Sequence, residues 1–223
     1  LGHGWFDLPP FVWDAERRSL ARTILLGGSS PALVLVRAVR GGLRLTLRCA
    51  APATPADIAQ AVEQVRHMLR LDEDFSRFAA LAEATARPDL REPARAGAGR
   101  LLRSPTVFED LVKLICTTNC TWALTRVMVS GMVTRLGEKA PGGARTFPTP
   151  QALAAASPKI YRDVIKAGYR SEGLHQLARD VAEGKLDTQA WLDPSRPSEE
   201  IRGEILEVRG AGLMRGLQLA SDA

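Results

Sequence analysis

The chain has 223 residues, 45% of them hydrophobic and 25% charged, which is enough to bury a sizeable core and argues against intrinsic disorder. Thirty lysines and arginines against 25 acidic residues give a net charge of +5, which weakly favours a polyanionic partner. No apolar run reaches the ~18 residues that a membrane-spanning helix needs. We therefore expect neither a membrane segment nor a signal segment, and a cytoplasmic or otherwise intracellular protein.

The three cysteines, Cys49, Cys116 and Cys120, form an odd and sparse set that does not fit a secreted disulfide framework. We expect reduced thiols in a reducing compartment. Cys116 and Cys120 are four residues apart and could share a helix face like metal ligands. No nearby histidine or cysteine pair completes a tetrahedral site, so we interpret them as small buried apolar residues and expect no metal.

The first part of the chain has the pattern of a small α+β unit. Residues 32–49 read ALVLVRAV, RGG and LRLTLRC, and the last run alternates, which predicts a β-hairpin with one solvated basic face. Residues 56–71 carry a helical stripe that we expect to cover the other face of the sheet: Ile58, Val62, Val65 and Leu69. A second helix is predicted from Asp72, with one apolar side: Phe75, Phe78, Ala79 and Ala82.

The stretch from 85 to 99 is rich in Pro, Ala, Gly and Arg without a period, so we place the boundary there, between domains 1–84 and 99–223. The second domain has a helical pattern. Ser-Pro dipeptides at 104–105 and 157–158 each place a capping hydroxyl before a proline, which predicts two helix starts. Two apolar helices joined at Asn119 are expected between them, and further helices at 171–183 and 198–208.

Four blocks carry a family resemblance: ICTTNCTWA at 115–123, then MVTRLG, FPTPQALA at 147–154 and AGYRSEGL at 167–174. Their order and spacing resemble the helix-hairpin-helix DNA glycosylase superfamily, which includes 3-methyladenine and 8-oxoguanine glycosylases. The opening HGWFDLPPFVWD and the hairpin resemble the sheet domain of the bacterial 3-methyladenine enzymes. The resemblance implies a small antiparallel sheet domain followed by an all-α helix-hairpin-helix domain. It also implies a monomer that acts on double-stranded DNA containing a damaged base.

The resemblance assigns DNA-binding roles to several side chains. An enzyme that cuts a glycosidic bond in a duplex must extrude the nucleotide and fill the gap, and in this family the residue at Asn119 fills it. Tyr169 stacks beside the orphaned partner base, and Arg170 reaches polar groups nearby. Trp122 is the candidate for lining a base pocket. From local sequence alone, Asn119 would be a helix cap or a left-handed turn residue, Tyr169 a surface residue after a helix C-cap glycine, and Trp122 core filler.

Residues 205–212, ILEVRGAG, resemble the hairpin turn of the superfamily. The resemblance implies that the backbone N–H groups of Gly210 and Gly212 hold a phosphate, with Arg209 and Arg215 beside them. Hairpins of this family also commonly bind a monovalent cation through backbone carbonyls. We expect no other cofactor, since the four-cysteine pattern of an iron–sulfur centre is absent from the sequence.

The candidate catalytic residue is Asp222, in LQLASDA, which would stabilise the positive charge that develops on the sugar. It comes earlier than the catalytic aspartate of the family, and eleven residues follow Gly212, so we expect part of the catalytic end to be missing. Met214 stands where lyase members carry a lysine. The leading hypothesis is therefore a monofunctional base-excision glycosylase for alkylated or oxidised bases. The alternatives are a non-catalytic DNA-binding protein of the same fold, and a helical protein-interaction domain without DNA affinity.

Overall fold

The computed structural model describes residues 4–85, 87–95, 97 and 99–211. A 3-10 turn at Gly4–Asp7 precedes an antiparallel sheet whose four strands follow the order of the chain: β1 Phe11–Asp14, β2 Ser19–Leu26, β3 Ser30–Val39 and β4 Gly42–Arg48. The predicted hairpin is formed by β3 and β4, and Arg44, Thr46 and Arg48 are exposed as expected. The α+β prediction for this part of the chain is confirmed.

Helix α1, Pro55–Leu69, covers one face of the sheet as predicted, but with only part of the predicted stripe, Val65 and Leu69. Ile58 and Val62 are 49% and 40% exposed, and the helix buries Ala61 and Met68 beside the predicted Val65. Small Ala61 allows the helix backbone to approach the strands closely, which a stripe of larger side chains would prevent. The predicted stripe is therefore right for Val65 and Leu69 and wrong for Ile58 and Val62, because the buried face is rotated toward Ala61 and Met68.

Two short helices follow, α2 at Ser76–Ala84 and α3 at Pro88–Arg95. The start predicted at Asp72 is wrong, because Asp72 pairs with Arg66 and the helix begins four residues later. Helix α3 lies within the stretch 85–99, where the sequence predicted no element. A proline at the first helical position is favourable, and Arg95 on α3 donates to Glu83 on α2 at 2.7 Å.

The second half of the described chain is helical. It contains α4 Val107–Thr117, α5 Trp122–Leu136, α6 Pro150–Ala154, a π-helical segment Ile160–Ile165, a 3-10 turn Gly168–Arg170, α7 Ser171–Ala182, a 3-10 turn Thr188–Leu192 and α8 Ser198–Glu207. The helices predicted around Asn119, at 171–183 and at 198–208 are confirmed. Their core is centred on α4 and α5, with Val112, Ile115, Met128 and Met132 at most 1% exposed.

One of the two predicted helix starts is wrong. The cap of α4 is Thr106, whose hydroxyl accepts from the Glu109 N–H at 3.3 Å. Ser104 is fully buried instead, and its hydroxyl accepts from Lys113 Nζ at 3.1 Å. At the second dipeptide the helix does begin at Pro158, as predicted.

A buried ionic cluster fixes the sheet against α4. Both terminal nitrogens of the Arg22 guanidinium on β2 donate hydrogen bonds to the Glu109 carboxylate, Nη1 at 3.0 Å. Lys113 Nζ lies 2.6 Å from the same carboxylate. Each of the three residues is at most 3% exposed. Burial alone would raise the pKa of Glu109, but the charges of Arg22 and Lys113 outweigh it and lower that pKa. The cluster therefore joins the two halves through one anion held between two cations.

Within the described residues, no helix is long and apolar enough to cross a membrane. The described residues form two hydrophobic clusters, one between the sheet and α1 and one among the helices. Leu102 packs in the sheet cluster, although it lies after residue 99. The domain boundaries 1–84 and 99–223 stay a prediction.

Candidate functional site

Residues 118–121, which we call the wedge turn, connect α4 and α5. Asn119 is exposed and has a left-handed backbone with φ 44°. Its neighbours hold the turn in place: the Thr118 hydroxyl donates to the Ile115 carbonyl at 2.8 Å, and the Thr121 hydroxyl caps α5 by accepting from the Leu124 N–H at 3.3 Å. Asparagine tolerates this backbone region better than most residues. The Asn119 side chain makes no hydrogen bond to the residues that the structure describes, and is presented to solvent.

The Gly168–Arg170 turn lies directly against the wedge turn. The Arg170 guanidinium donates to the Thr118 carbonyl, and its Nε donates to the Thr118 hydroxyl at 3.2 Å. It also lies over the Tyr169 ring, 4.4 Å from the ring centroid. Tyr169 is 63% exposed while Arg170 is 6% exposed. Arg170 is thus buried and links the two turns through Thr118, which we call the Arg170 tie, whereas the Tyr169 ring is exposed at the surface.

The structure therefore brings Asn119 and Tyr169, which are 50 residues apart in sequence, to one surface. Thr118 is the joint, because the Tyr169 hydroxyl also approaches its carbonyl, at 3.5 Å. Sequence reasoning predicted the two exposed residues but missed Thr118. No local signal could reveal this role, because Tyr169 and Arg170 belong to another element.

The turn predicted to belong to the helix-hairpin-helix motif follows the end of α8 and packs onto the same region, as far as residue 211. Gly210 has φ 97°, and a Cβ added there would lie 3.4 Å from Ile115 on α4. A Cβ added at Gly173 on α7 would lie 2.7 Å from the Arg209 carbonyl, so the hairpin backbone rests on this glycine. Arg209 is exposed and pairs with Glu172 at 2.6 Å. The wedge turn, the Gly168–Arg170 turn and the start of the hairpin thus meet around the C-terminal end of α4 and the N-terminal end of α7.

Three of the predicted residues, Gly212, Arg215 and Asp222, lie outside the described residues. The phosphate contact at the second hairpin glycine, the cation at the hairpin and the catalytic carboxylate consequently stay predictions.

Trp122, predicted to line a base pocket, follows the wedge turn at the start of α5 and is 37% exposed. Its indole Nε1 donates to Asp7 at 2.9 Å, and Arg126 lies 3.5 Å from the same carboxylate. The ring lies against the backbone of Gly4, where an added Cβ would be 2.3 Å from it. Trp122 therefore anchors the N-terminal 3-10 turn beside the wedge turn, and its pocket role stays a prediction.

The cysteines of this region have a structural role. The Cys120 thiol donates to the Cys116 carbonyl at 3.1 Å, and all three cysteines are free. Burial raises the pKa of the Cys116 thiol to about 12. A thiol with that pKa is protonated and unreactive at neutral pH.

No protein-family model matches the sequence, and a search of curated proteins finds no match. Several solved structures do match. The 3-methyladenine DNA glycosylase from Archaeoglobus fulgidus superposes with a TM-score of 0.70 at 17% identity, over 93% of this chain and 70% of that one. MBOgg1 in complex with a low-affinity DNA ligand gives 0.65 at 19% identity, over 90% and 64%. The apo form of the 8-oxoguanine glycosylase/lyase from Clostridium acetobutylicum gives 0.66 at 17% identity, over 92% and 68%. The chain thus spans about two thirds of the length of these structures and shares their fold.

Proposed function

Starting from the fold of the DNA glycosylases, we propose that this chain is a base-excision-repair DNA glycosylase that flips a damaged base out of duplex DNA and hydrolyses its N-glycosidic bond. Its partner would be double-stranded DNA with an alkylated or oxidised base. The proposed reaction is monofunctional hydrolysis, without strand cleavage.

The observation that carries this proposal is the joint surface of Asn119 and Tyr169. Extruding a nucleotide costs a few kcal/mol of unstacking, so the enzyme has to replace the lost contacts. An exposed asparagine on a tight turn can enter the gap, and an exposed ring beside it can stack on the orphaned base for ~1–3 kcal/mol. The Arg170 tie to Thr118 fixes the distance between the two before DNA arrives, which lowers the ordering cost of binding.

In the proposed chemistry, Asp222 stabilises the oxocarbenium-like sugar while water attacks its C1′. A lyase would need an amine nucleophile at the sugar, and Met214 at the corresponding position cannot supply one. Both residues are assigned from the sequence resemblance. They are therefore the first to test by substitution.

The test is an excision assay of the full chain on duplexes that carry one 8-oxoguanine or one alkylated purine. A monofunctional glycosylase leaves abasic sites, so strand breaks appear only after alkali treatment. Asp222→Asn should abolish excision while retaining DNA binding. Strand breaks without alkali would contradict the monofunctional proposal.

The alternative is a non-catalytic DNA-binding protein of the same fold. It predicts tight binding to an abasic-site analogue, no excision of any base in the panel, and no effect of Asp222→Asn. A chain that binds neither the abasic-site duplex nor the undamaged duplex would instead favour a protein-interaction domain.

A further inference from the structure

The tip of the β3–β4 hairpin projects beyond the rest of the sheet. Strand β2 begins at Ser19, opposite Arg37 of β3, so residues 38–43 have no neighbouring strand on the β2 side. All six of these residues are exposed. The tip is therefore a two-stranded ribbon open to solvent.

This hairpin carries positive charge that no nearby acidic residue in the sequence balances. Between residues 27 and 56 there is no acidic residue, and four arginines are present: Arg37, Arg40, Arg44 and Arg48. All four are exposed, and none makes an ion pair or hydrogen bond through its side chain within the described part of the chain. A local charge of +4 thus stands against a net charge of +5 for the whole chain.

The arrangement of these arginines is unfavourable for the free protein. Arg37 and Arg44 lie directly opposite each other on neighbouring strands, and such like-charge pairs destabilise a sheet. Some other exposed arginines of the chain do have acidic partners, for example Arg87 with Asp89 and Arg95 with Glu83. A bound polyanion would remove the repulsion that the hairpin leaves uncompensated.

We propose that the β3–β4 hairpin is a second DNA-binding surface, which holds the phosphates of undamaged duplex independently of sequence. Arg44 and Arg48 are four residues apart on one strand and project from the same face, about 13 Å apart. That separation spans roughly four base-pair steps of a DNA strand, so the arginines can contact separate phosphates. This surface goes beyond the proposed excision site, because it needs neither a lesion nor the wedge turn.

Duplex DNA fits the hairpin better than an anionic membrane does. The charges run along the strand as well as around the tip, as a row of phosphates requires. The exposed large apolar residues of the ribbon are Val39 and Leu43, at 40% and 37%. Two half-exposed aliphatic side chains give little area for insertion into a lipid interface.

The test compares two triple variants of the full chain that remove the same charge. The first is Arg37→Gln with Arg44→Gln and Arg48→Gln. The control is Arg66→Gln with Arg87→Gln and Arg95→Gln, three exposed arginines that each pair with a carboxylate. Binding to a short undamaged duplex is titrated over a range of salt concentrations, and binding to vesicles rich in anionic lipid is measured in parallel.

The hairpin variant should lower the slope of log K against log salt by about 2.7, at ~0.9 for each lost phosphate contact, and weaken binding at least tenfold in 0.1 M salt. The control variant should change the slope by less than ~0.9, the value for one phosphate contact. The melting temperature of the hairpin variant should stay at or above that of the parent, because the like-charge pair of Arg37 and Arg44 is gone. Equal slopes for the two variants, a marked loss of melting temperature in the hairpin variant, or loss of vesicle binding alone would overturn the proposal.

The ratio of affinities for abasic-site and undamaged duplex separates this proposal from the excision function. The hairpin variant should keep that ratio while both affinities fall. Equal affinities of the parent protein for the two duplexes would contradict the role of the wedge turn, but would not affect the conclusion from the salt titration.

Discussion

Replacing Glu109 by glutamine removes the one anion of the buried cluster while nearly preserving its shape. Arg22 and Lys113 would then face each other, at most 3% exposed, with no carboxylate between them. Breaking a buried ion pair by removing one partner costs about 3–5 kcal/mol. Lys113 can escape by losing its proton, because burial lowers its pKa and makes that loss easier than for an exposed lysine. Arg22 has no such escape.

We therefore expect Glu109→Gln to destabilise the protein by about 3–5 kcal/mol, or a fall in melting temperature of roughly 6–20 °C for a chain of this size. Urea titrations and thermal melts followed by circular dichroism measure both quantities. The matched control is Glu83→Gln, which breaks the exposed pair with Arg95 and should leave the stability almost unchanged, because water screens exposed ion pairs. Equal losses in the two variants would refute the assignment of the cluster as the tie between sheet and helices.

Three further outcomes follow from the same geometry. Because Arg22 and Lys113 lower the pKa of Glu109, its contribution to stability is present above an unfolded pKa near 4.5 and lost as the pH falls below it. Melts between pH 7 and 3 should show a shallower decline in Glu109→Gln, and an unchanged decline would contradict the sign. Gly173→Ala should weaken DNA binding, because the added methyl group would displace the Arg209 backbone in the turn after α8. Gly203→Ala, with open space around it, should not. Cys116, with a pKa raised to about 12 by burial, should resist alkylation until the protein unfolds. Rapid labelling of the native protein would contradict that.

The sequence predicted the hairpin because alternation of apolar and polar residues describes a half-exposed strand directly. It failed in part for α1, where Val65 and Leu69 face the sheet as predicted but Ile58 and Val62 are exposed and Ala61 is buried in their place. Close packing of a helix on a sheet depends on which side chains are small, and a search for large apolar residues overlooks that. The cap at Ser104 failed for a related reason, since a buried partner, Lys113, uses its hydroxyl.

For the candidate site, the family resemblance supplied Asn119 and Tyr169, and the structure adds the contact that joins them. The Arg170 tie to Thr118 links positions 52 residues apart, so it depends on tertiary packing and has no local signature. The ionic cluster left a partial signal: Glu109 and Lys113 stand four apart within a helix that is mostly apolar apart from these two residues and Asp110. Charged residues at that spacing on a buried face indicate a buried pair, but the third member on β2 could not be predicted from the helix alone.

The most direct measurement of the central claim is the affinity of wild-type chain and Tyr169→Ala for a duplex with an abasic-site analogue and for the same duplex undamaged. Leu81→Ala is the control, because Leu81 is 64% exposed, close to the 63% of Tyr169, and lies on α2. A stacking loss of ~1–3 kcal/mol should lower abasic-site affinity about 5- to 150-fold in Tyr169→Ala, with much less effect on the undamaged duplex. The control should match the wild type on both, and all melting temperatures should agree. Equal losses of Tyr169→Ala on the two duplexes would contradict the account, because the ring would then be a general contact and not a brace for a flipped base.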